Sequence, residues 1–271
     1  LGELLRISPD HVAILSDRWW VVDYHSDNST GAYYLYDQES KKPELLFETA
    51  PQMAKYPFSP MQTEVIKARD GMEIPCYLTL PMGIEAKNLP MVLAIHGGPW
   101  ARDNWGFDGF TQWLANRGYA VLAVNFRGSA GLGKKHMNAG DGEWGVGYMQ
   151  HDITDAVQWF IKKGIADPKR IAITGGSYGG YAVLAGLAFT PDLYACGVDM
   201  CGPSQVKTSI EAMPDWWYLI KQRWLRRIGN VLEDEALNRR ISPYYHADNI
   251  KSPLLLFHGA NDPRVKISES D

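Results

Sequence analysis

The hydrophobic residues of this 271-residue chain follow two different rhythms. Up to about residue 49 they come in short aromatic and β-branched runs: 12–15, 19–24, 32–37 and 45–49. Turn-rich stretches such as 25–31 and 39–43 separate them. This pattern predicts four short antiparallel strands, the content of one propeller blade. One blade cannot bury its own faces, so these strands need the rest of the chain or further blades as neighbours. Residues 50–60 carry Pro51, Pro57 and Pro60 and read as a linker. The chain therefore divides into a blade remnant with its linker, 1–56, and a second domain, 57–271.

In the second domain, runs 63–69 and 73–80 flank Asp70-Gly71, a strong hairpin signal. After that, continuous apolar runs alternate with helical patterns. The runs are 91–95, 120–124, 170–174, 195–200 and 253–257. Among the helices, 149–163 places Ile153, Val157, Phe160 and Ile161 on one face. Strands that are apolar throughout, alternating with helices, predict an α/β fold with a mostly parallel sheet covered on both faces. Sites in such sheets form at the carboxyl ends of strands. Three of the runs end there in candidate chemistry: His96-Gly-Gly-Pro99, Gly175-Gly-Ser-Tyr-Gly179 and His258-Gly-Ala-Asn-Asp262.

The middle segment is the most specific. Ser177 stands in Gly-x-Ser-x-Gly between a strand and an apolar, proline-free helix, the context of a nucleophile elbow. A structural glycine turn is the competing reading. A serine needs a base and an orienting group to become a nucleophile. Asp262, just past a strand end, is the candidate acid; its bland alternative is an Asx-type turn before Pro263. The N–H groups of Tyr178, next to the nucleophile, and Gly98, in the loop after an earlier strand, are the candidate oxyanion donors. His96 is read as an anchor of its own loop rather than a base, and His258 as structural. No histidine follows Asp262. The chain thus shows a nucleophile, an acid and half an oxyanion hole, with no base in the usual order.

Composition narrows the partners. The net charge of −4 gives no basic footprint for nucleic acid, and no apolar run approaches a membrane span. Cys76, Cys196 and Cys201 are an odd number without metal spacing, so no metal and no cofactor are called for. Cys196 and Cys201 read as small buried residues, and the balance leans slightly to a reducing, cytoplasmic setting. Oligomeric state is left open, a homo-oligomer included. Trp216-Trp217-Tyr218, in an aromatic insertion after Cys201-Gly-Pro203, either lines a pocket or covers the core.

Taken together, several segments resemble the prolyl oligopeptidase family of serine peptidases, particularly its acylaminoacyl-peptidase and dipeptidyl-peptidase-like branches. They are His96-Gly-Gly-Pro99, Asn125-Phe-Arg-Gly-Ser129 with Gly131-Leu-Gly133, Asp152-Ile-Thr-Asp-Ala156, the segment 175–181 and Gly259-Ala-Asn-Asp-Pro-Arg-Val265. The resemblance implies an α/β-hydrolase domain preceded by a β-propeller that limits access to short peptides. It implies that Ser177 forms the acyl-enzyme, Asp262 orients the base, and Gly98 and Tyr178 hold the oxyanion. It also implies that Arg264 lies near the substrate backbone. Two departures, the single blade and the missing histidine, lead to the expectation that this is a fragment of a longer peptidase. A carboxylesterase on the same fold, or an inactive fragment or binding module, are the alternatives.

Overall fold

The computed structural model describes residues 12–271. The first rhythm of the sequence becomes a four-stranded antiparallel sheet in chain order: β1 (Val12–Ile14), β2 (Trp19–Tyr24), β3 (Ala32–Asp37) and β4 (Lys42–Glu48). Arg18 closes one end with a fork of hydrogen bonds to Asp37 at 3.0 Å. β4 is exposed along its length, leaving Leu45, Leu46 and Phe47 uncovered.

The second rhythm becomes a seven-stranded mixed sheet. Its strands are β5 (Met61–Lys67), β6 (Glu73–Thr79), β7 (Leu89–Ile95), β8 (Ala120–Val124), β9 (Ala166–Gly176), β10 (Cys196–Met200) and β11 (Leu254–Phe257). Their spatial order is 11-10-9-7-8-6-5. From β8 to β11 neighbours run parallel, while the hairpin β5–β6 and its junction with β8 are antiparallel. Asp70 and Gly71 form the hairpin turn, with Gly71 at φ 86°.

Why the parallel strands read as continuous apolar runs is visible in β7. Met91, Leu93 and Ile95 face one layer, with Ile171, Ile173 and Leu122 beside them. Val92 faces the other, with Val121 and Leu114. Helix α1 (Gly109–Ala115) covers the second face. On the first face lie α3 (Tyr148–Lys162) and α4 (Tyr178–Phe189); α2 is the short helix Lys134–Asn138. In α3, Ile153, Val157 and Phe160 are fully buried, while Ile161 is only half-buried. Buried residues occupy every side of α4, so it forms the centre of the core. After β10 come α5 (Val206–Glu211), α6 (Tyr218–Ile228) and α7 (Glu235–Ile241).

Two sequence expectations shift. Cys76 is buried, but Cys196 and Cys201 are half-buried, because each sits at an end of β10 where the core thins. The aromatic stretch does not cover the core: Trp216 is 79% exposed and Tyr218 63%. No helix among the described residues is long and apolar enough to cross a membrane.

Asp27, in the β2–β3 turn, ties the small sheet to the large one. Its Oδ2 accepts from Met61 N–H at 2.7 Å, and its carbonyl accepts from Gln112 Nε2 at 3.1 Å. The buried Gln112 amide also exchanges hydrogen bonds with both backbone groups of Ser59, at 2.9 and 2.7 Å.

Candidate active site

The register of the parallel strands lines up one edge of the sheet. Ile95 pairs with Gly175, Gly176 with Met200, and Met200 with Phe257. The residues that follow these strands, namely His96, Ser177, Cys201 and His258, therefore share that carboxyl edge.

Ser177 sits between β9 and α4 at φ 57°, ψ −119°, a conformation that a non-glycine residue adopts only when its surroundings enforce it. The enforcement can be named. Its N–H donates to Met200 O at 2.9 Å, and its carbonyl receives Tyr181 N–H at 3.0 Å, the first bond of α4. The flanking glycines are needed for contact rather than flexibility. A Cβ on Gly175 would lie 2.6 Å from the Gly179 carbonyl carbon, and one on Gly179 would overlap the carbonyl oxygen of Ile95. The result is an exposed serine above a closely packed strand–helix turn.

Two candidate backbone donors lie in the adjoining segments. Tyr178 opens α4, so its N–H belongs to the helix-start donors that lack an intrahelical acceptor. Gly98 is exposed at φ 123°, where a Cβ would lie 2.7 Å from Trp100 N. The two are braced by a residue the sequence did not single out. Phe126 stacks on His96 with 4.5 Å between ring centroids, and packs at 5.4 Å against Tyr178. It is fully buried, so both halves of the candidate oxyanion hole rest on one ring.

His96 is engaged through both nitrogens. Nδ1 lies 2.8 Å from Gly97 O, which can only accept, so Nδ1 carries the proton. Nε2 lies 2.9 Å from Ser129 Oγ, whose hydroxyl donates to Phe126 O at 2.7 Å. Burial holds the ring neutral and pushes its pKa down to about 4. The ring is thereby an anchor of its loop, with its two nitrogens turned to Gly97 and Ser129 rather than to Ser177. Because the unfolded chain takes up this proton near pH 6.5 and the folded one does not, stability falls as pH drops through that window. His96→Asn should remove about 2 kcal/mol of the loss between pH 7 and 5, read by urea melts at both values. Equal pH dependence in the two proteins would show the ring to be protonated in the fold.

Asp262 follows β11 on an exposed loop. Its Oδ1 accepts from Arg264 N–H at 2.8 Å and Val265 N–H at 3.0 Å, so both readings of it meet in one geometry, an Asx-type turn that also orients a carboxylate. These backbone donors, Arg264 first, hold its pKa below the usual carboxylate value. Oδ2 takes no hydrogen bond from the described residues. Arg264 places its guanidinium 5.3 Å over the Trp217 ring, which brings the aromatic segment to the Asp262 loop. Among the described residues no hydrogen bond joins a histidine to Ser177.

A cleft of about 850 Å³ opens at this edge, walled by His96, Gly175 and Gly176 on one side and by Asp23 and His25 of the small sheet on the other. Trp105 and Phe107 supply apolar surface. Asp103 lies in it with Oδ2 buried and unpartnered, and burial, with Asp108 adding repulsion, lifts its pKa to about 7.

The motif Asn125-Phe-Arg-Gly frames the site from behind. Asn125 pairs its side-chain amide with both backbone groups of Asp103, at 2.8 and 3.1 Å. Arg127 binds Asp152 of α3 and Asp70 of the hairpin turn through their carboxylates. The motif is therefore scaffold, apart from Phe126.

The model of the prolyl oligopeptidase family matches residues 105–271. The chain belongs to the prolyl oligopeptidase family. A relative in Pseudoxanthomonas mexicana, dipeptidyl aminopeptidase BIII, is 46% identical over the whole of this chain and 41% of its own length. A second in Caenorhabditis elegans, dipeptidyl peptidase family member 6, is 41% identical over 93% of this chain and 37% of its own. Among solved structures, a puromycin hydrolase superposes with a TM-score of 0.84 at 25% identity, covering 96% of this chain and 40% of that one. The acylaminoacyl peptidase of Pyrococcus horikoshii gives 0.80 at 27%, covering 94% and 40%. Within the prolyl oligopeptidase family, then, the chain spans about two-fifths of the length of the relatives it matches. The seven-stranded sheet is the α/β-hydrolase fold of these neighbours.

Proposed function

We propose that the protein is a serine peptidase that cleaves short peptides through an acyl-enzyme on Ser177. The observation that carries this reading is the exposed Ser177 at φ 57° on the β9–α4 turn, packed against Gly97 of the loop that also carries Gly98. The Ser177 Oγ attacks the scissile carbonyl, and its proton passes to a histidine that is not among those described. The carbonyl oxygen becomes an oxyanion and receives N–H bonds from Gly98 and Tyr178, worth about 3–4 kcal/mol per donor in comparable sites. The protonated histidine gives its proton to the leaving amine, and water then repeats the sequence to release the acyl group. Asp262, ionised and held by backbone donors, orients that histidine and stabilises its charged form. In this reading Arg264 lies near the substrate backbone, and residues 57–271 are the catalytic domain behind the blade remnant of 1–56.

Peptides, rather than esters alone, are favoured by the activities for which similar proteins are named: dipeptidyl aminopeptidase, acylamino-acid-releasing enzyme and puromycin hydrolase. A cleft bounded by the small sheet also fits a short chain better than a folded protein. The test is turnover by the intact protein of peptide anilides against short-chain acyl esters, with a fluorophosphonate adduct mapped by mass spectrometry. Anilide turnover and an adduct on Ser177 are expected. Ester-only turnover would make it a carboxylesterase, and no turnover with no adduct would make it a binding module.

A further inference from the structure

We infer that His258 positions Asp262, acting through Val265. The inference rests on the reading of Asp262 as the orienting acid. His258 is the first residue after β11, whose end is in register with β10 and, through it, with the strand that carries Ser177. Its Nε2 lies 2.9 Å from Val265 O. A carbonyl can only accept, so Nε2 carries the proton. Nδ1, 2.7 Å from Ser270 Oγ, accepts from that hydroxyl. Val265 in turn donates its N–H to Asp262 Oδ1. The carboxylate thus sits on a turn whose far limb is tied back to the sheet by one imidazole.

A second tie shows how much of the work falls to His258. Glu269, buried, accepts from the N–H groups of Ser204 and Gln205, both at 2.9 Å, and from Thr208 Oγ1 at 2.6 Å. That clamp holds the loop to the start of α5, but seven residues beyond Asp262. Between the strand end and Glu269, the described side-chain ties that reach Val265 are Asp262 itself and His258. His258 is a positioning residue: it touches neither Ser177 nor Oδ2 of Asp262.

A small displacement of a catalytic group costs far more in rate than one hydrogen bond contributes to folding. The test therefore compares kcat, KM and Tm for a peptide anilide in the intact protein across four variants. Asp262→Asn is expected to lower kcat by about 10⁴-fold. His258→Leu is expected to lower kcat by about 10–100-fold, with KM changed less than about threefold and Tm by only a few degrees. His258→Gln, whose amide nitrogen reaches the same carbonyl, should recover kcat to within about threefold of the parent, whereas the shorter His258→Asn should not. The Gln–Asn pair decides the matter even if the leucine variant fails to fold. Wild-type kcat in His258→Leu, or an equal fall in the Gln and Asn variants, overturns the positioning role and leaves Asp262 intact. Unchanged kcat in Asp262→Asn overturns the acid reading itself.

Discussion

Alanine at position 177 is expected to abolish labelling by a fluorophosphonate and to lower kcat on a peptide anilide by about 10⁴–10⁶-fold. The substitution removes one oxygen and little else. The N–H bond to Met200 O, the carbonyl bond from Tyr181 and the start of α4 are all backbone features that alanine keeps. Its φ of 57° strains alanine about as much as serine, so Tm should move by no more than about 2 °C. In the proposed mechanism, what remains is catalysis by the donors of Gly98 and Tyr178 and by binding, which accounts for the residual rate. Labelling undiminished in Ser177→Ala would sink the nucleophile assignment. A large fall in Tm would show that the hydroxyl supports the fold, and the rate loss could then no longer be read as chemistry alone.

Arg127→Ala is expected to destabilise the fold by about 3–5 kcal/mol, which in a chain of this size lowers Tm by roughly 5–10 °C. Arg127 is buried and binds Asp152 three times, through its own N–H, Nε and Nη2, all at 2.8 Å. It binds Asp70 twice, at 2.8 and 3.0 Å, and lies 4.4 Å over the Tyr148 ring. Asp152 is 0% exposed, and burial already pushes its pKa up despite the guanidinium. Removing the partner leaves that carboxylate with one backbone donor inside the core. Thermal melts should show Arg127→Lys intermediate, because a lysine cannot serve two carboxylates with a planar fork. The double variant Arg127→Met, Asp152→Leu should regain most of the loss, since it deletes the unpaired charge. A double variant as unstable as Arg127→Ala would refute the account by orphaned charge.

How much of this was legible beforehand depended on the range of each interaction. The elbow at Ser177 is written in five consecutive residues, and its glycines are demanded by contacts within that turn and with Ile95, so a local pattern suffices. The alternation of apolar runs and helices likewise predicts the doubly covered sheet, because each run records burial on both sides. The place of Asp262 just after a strand was legible. Its support was not, because His258 and Glu269 act through hydrogen bonds that close only when the loop folds back. Phe126 was hidden inside a motif quoted for its asparagine and arginine; nothing in a single sequence says that a phenylalanine braces two loops. Asp23 and His25 were read as strand and turn. Only the packing of the small sheet on the large one brings them to the cleft. Trp216 misleads in the opposite way, since an aromatic run ordinarily signals core, and here it stands in solvent.

The Gln112 amide determines how that cleft can change width. Lifting the small sheet away breaks the bonds from Gln112 to Asp27 O and from Met61 N–H to Asp27 Oδ2. Each break costs about 1 kcal/mol, and more where a buried donor is left without an acceptor. Asp27 is thus a rivet at one rim of the cavity. Widening the opening at that rim costs both bonds, so the separation of the opposing walls seen here is the favoured one.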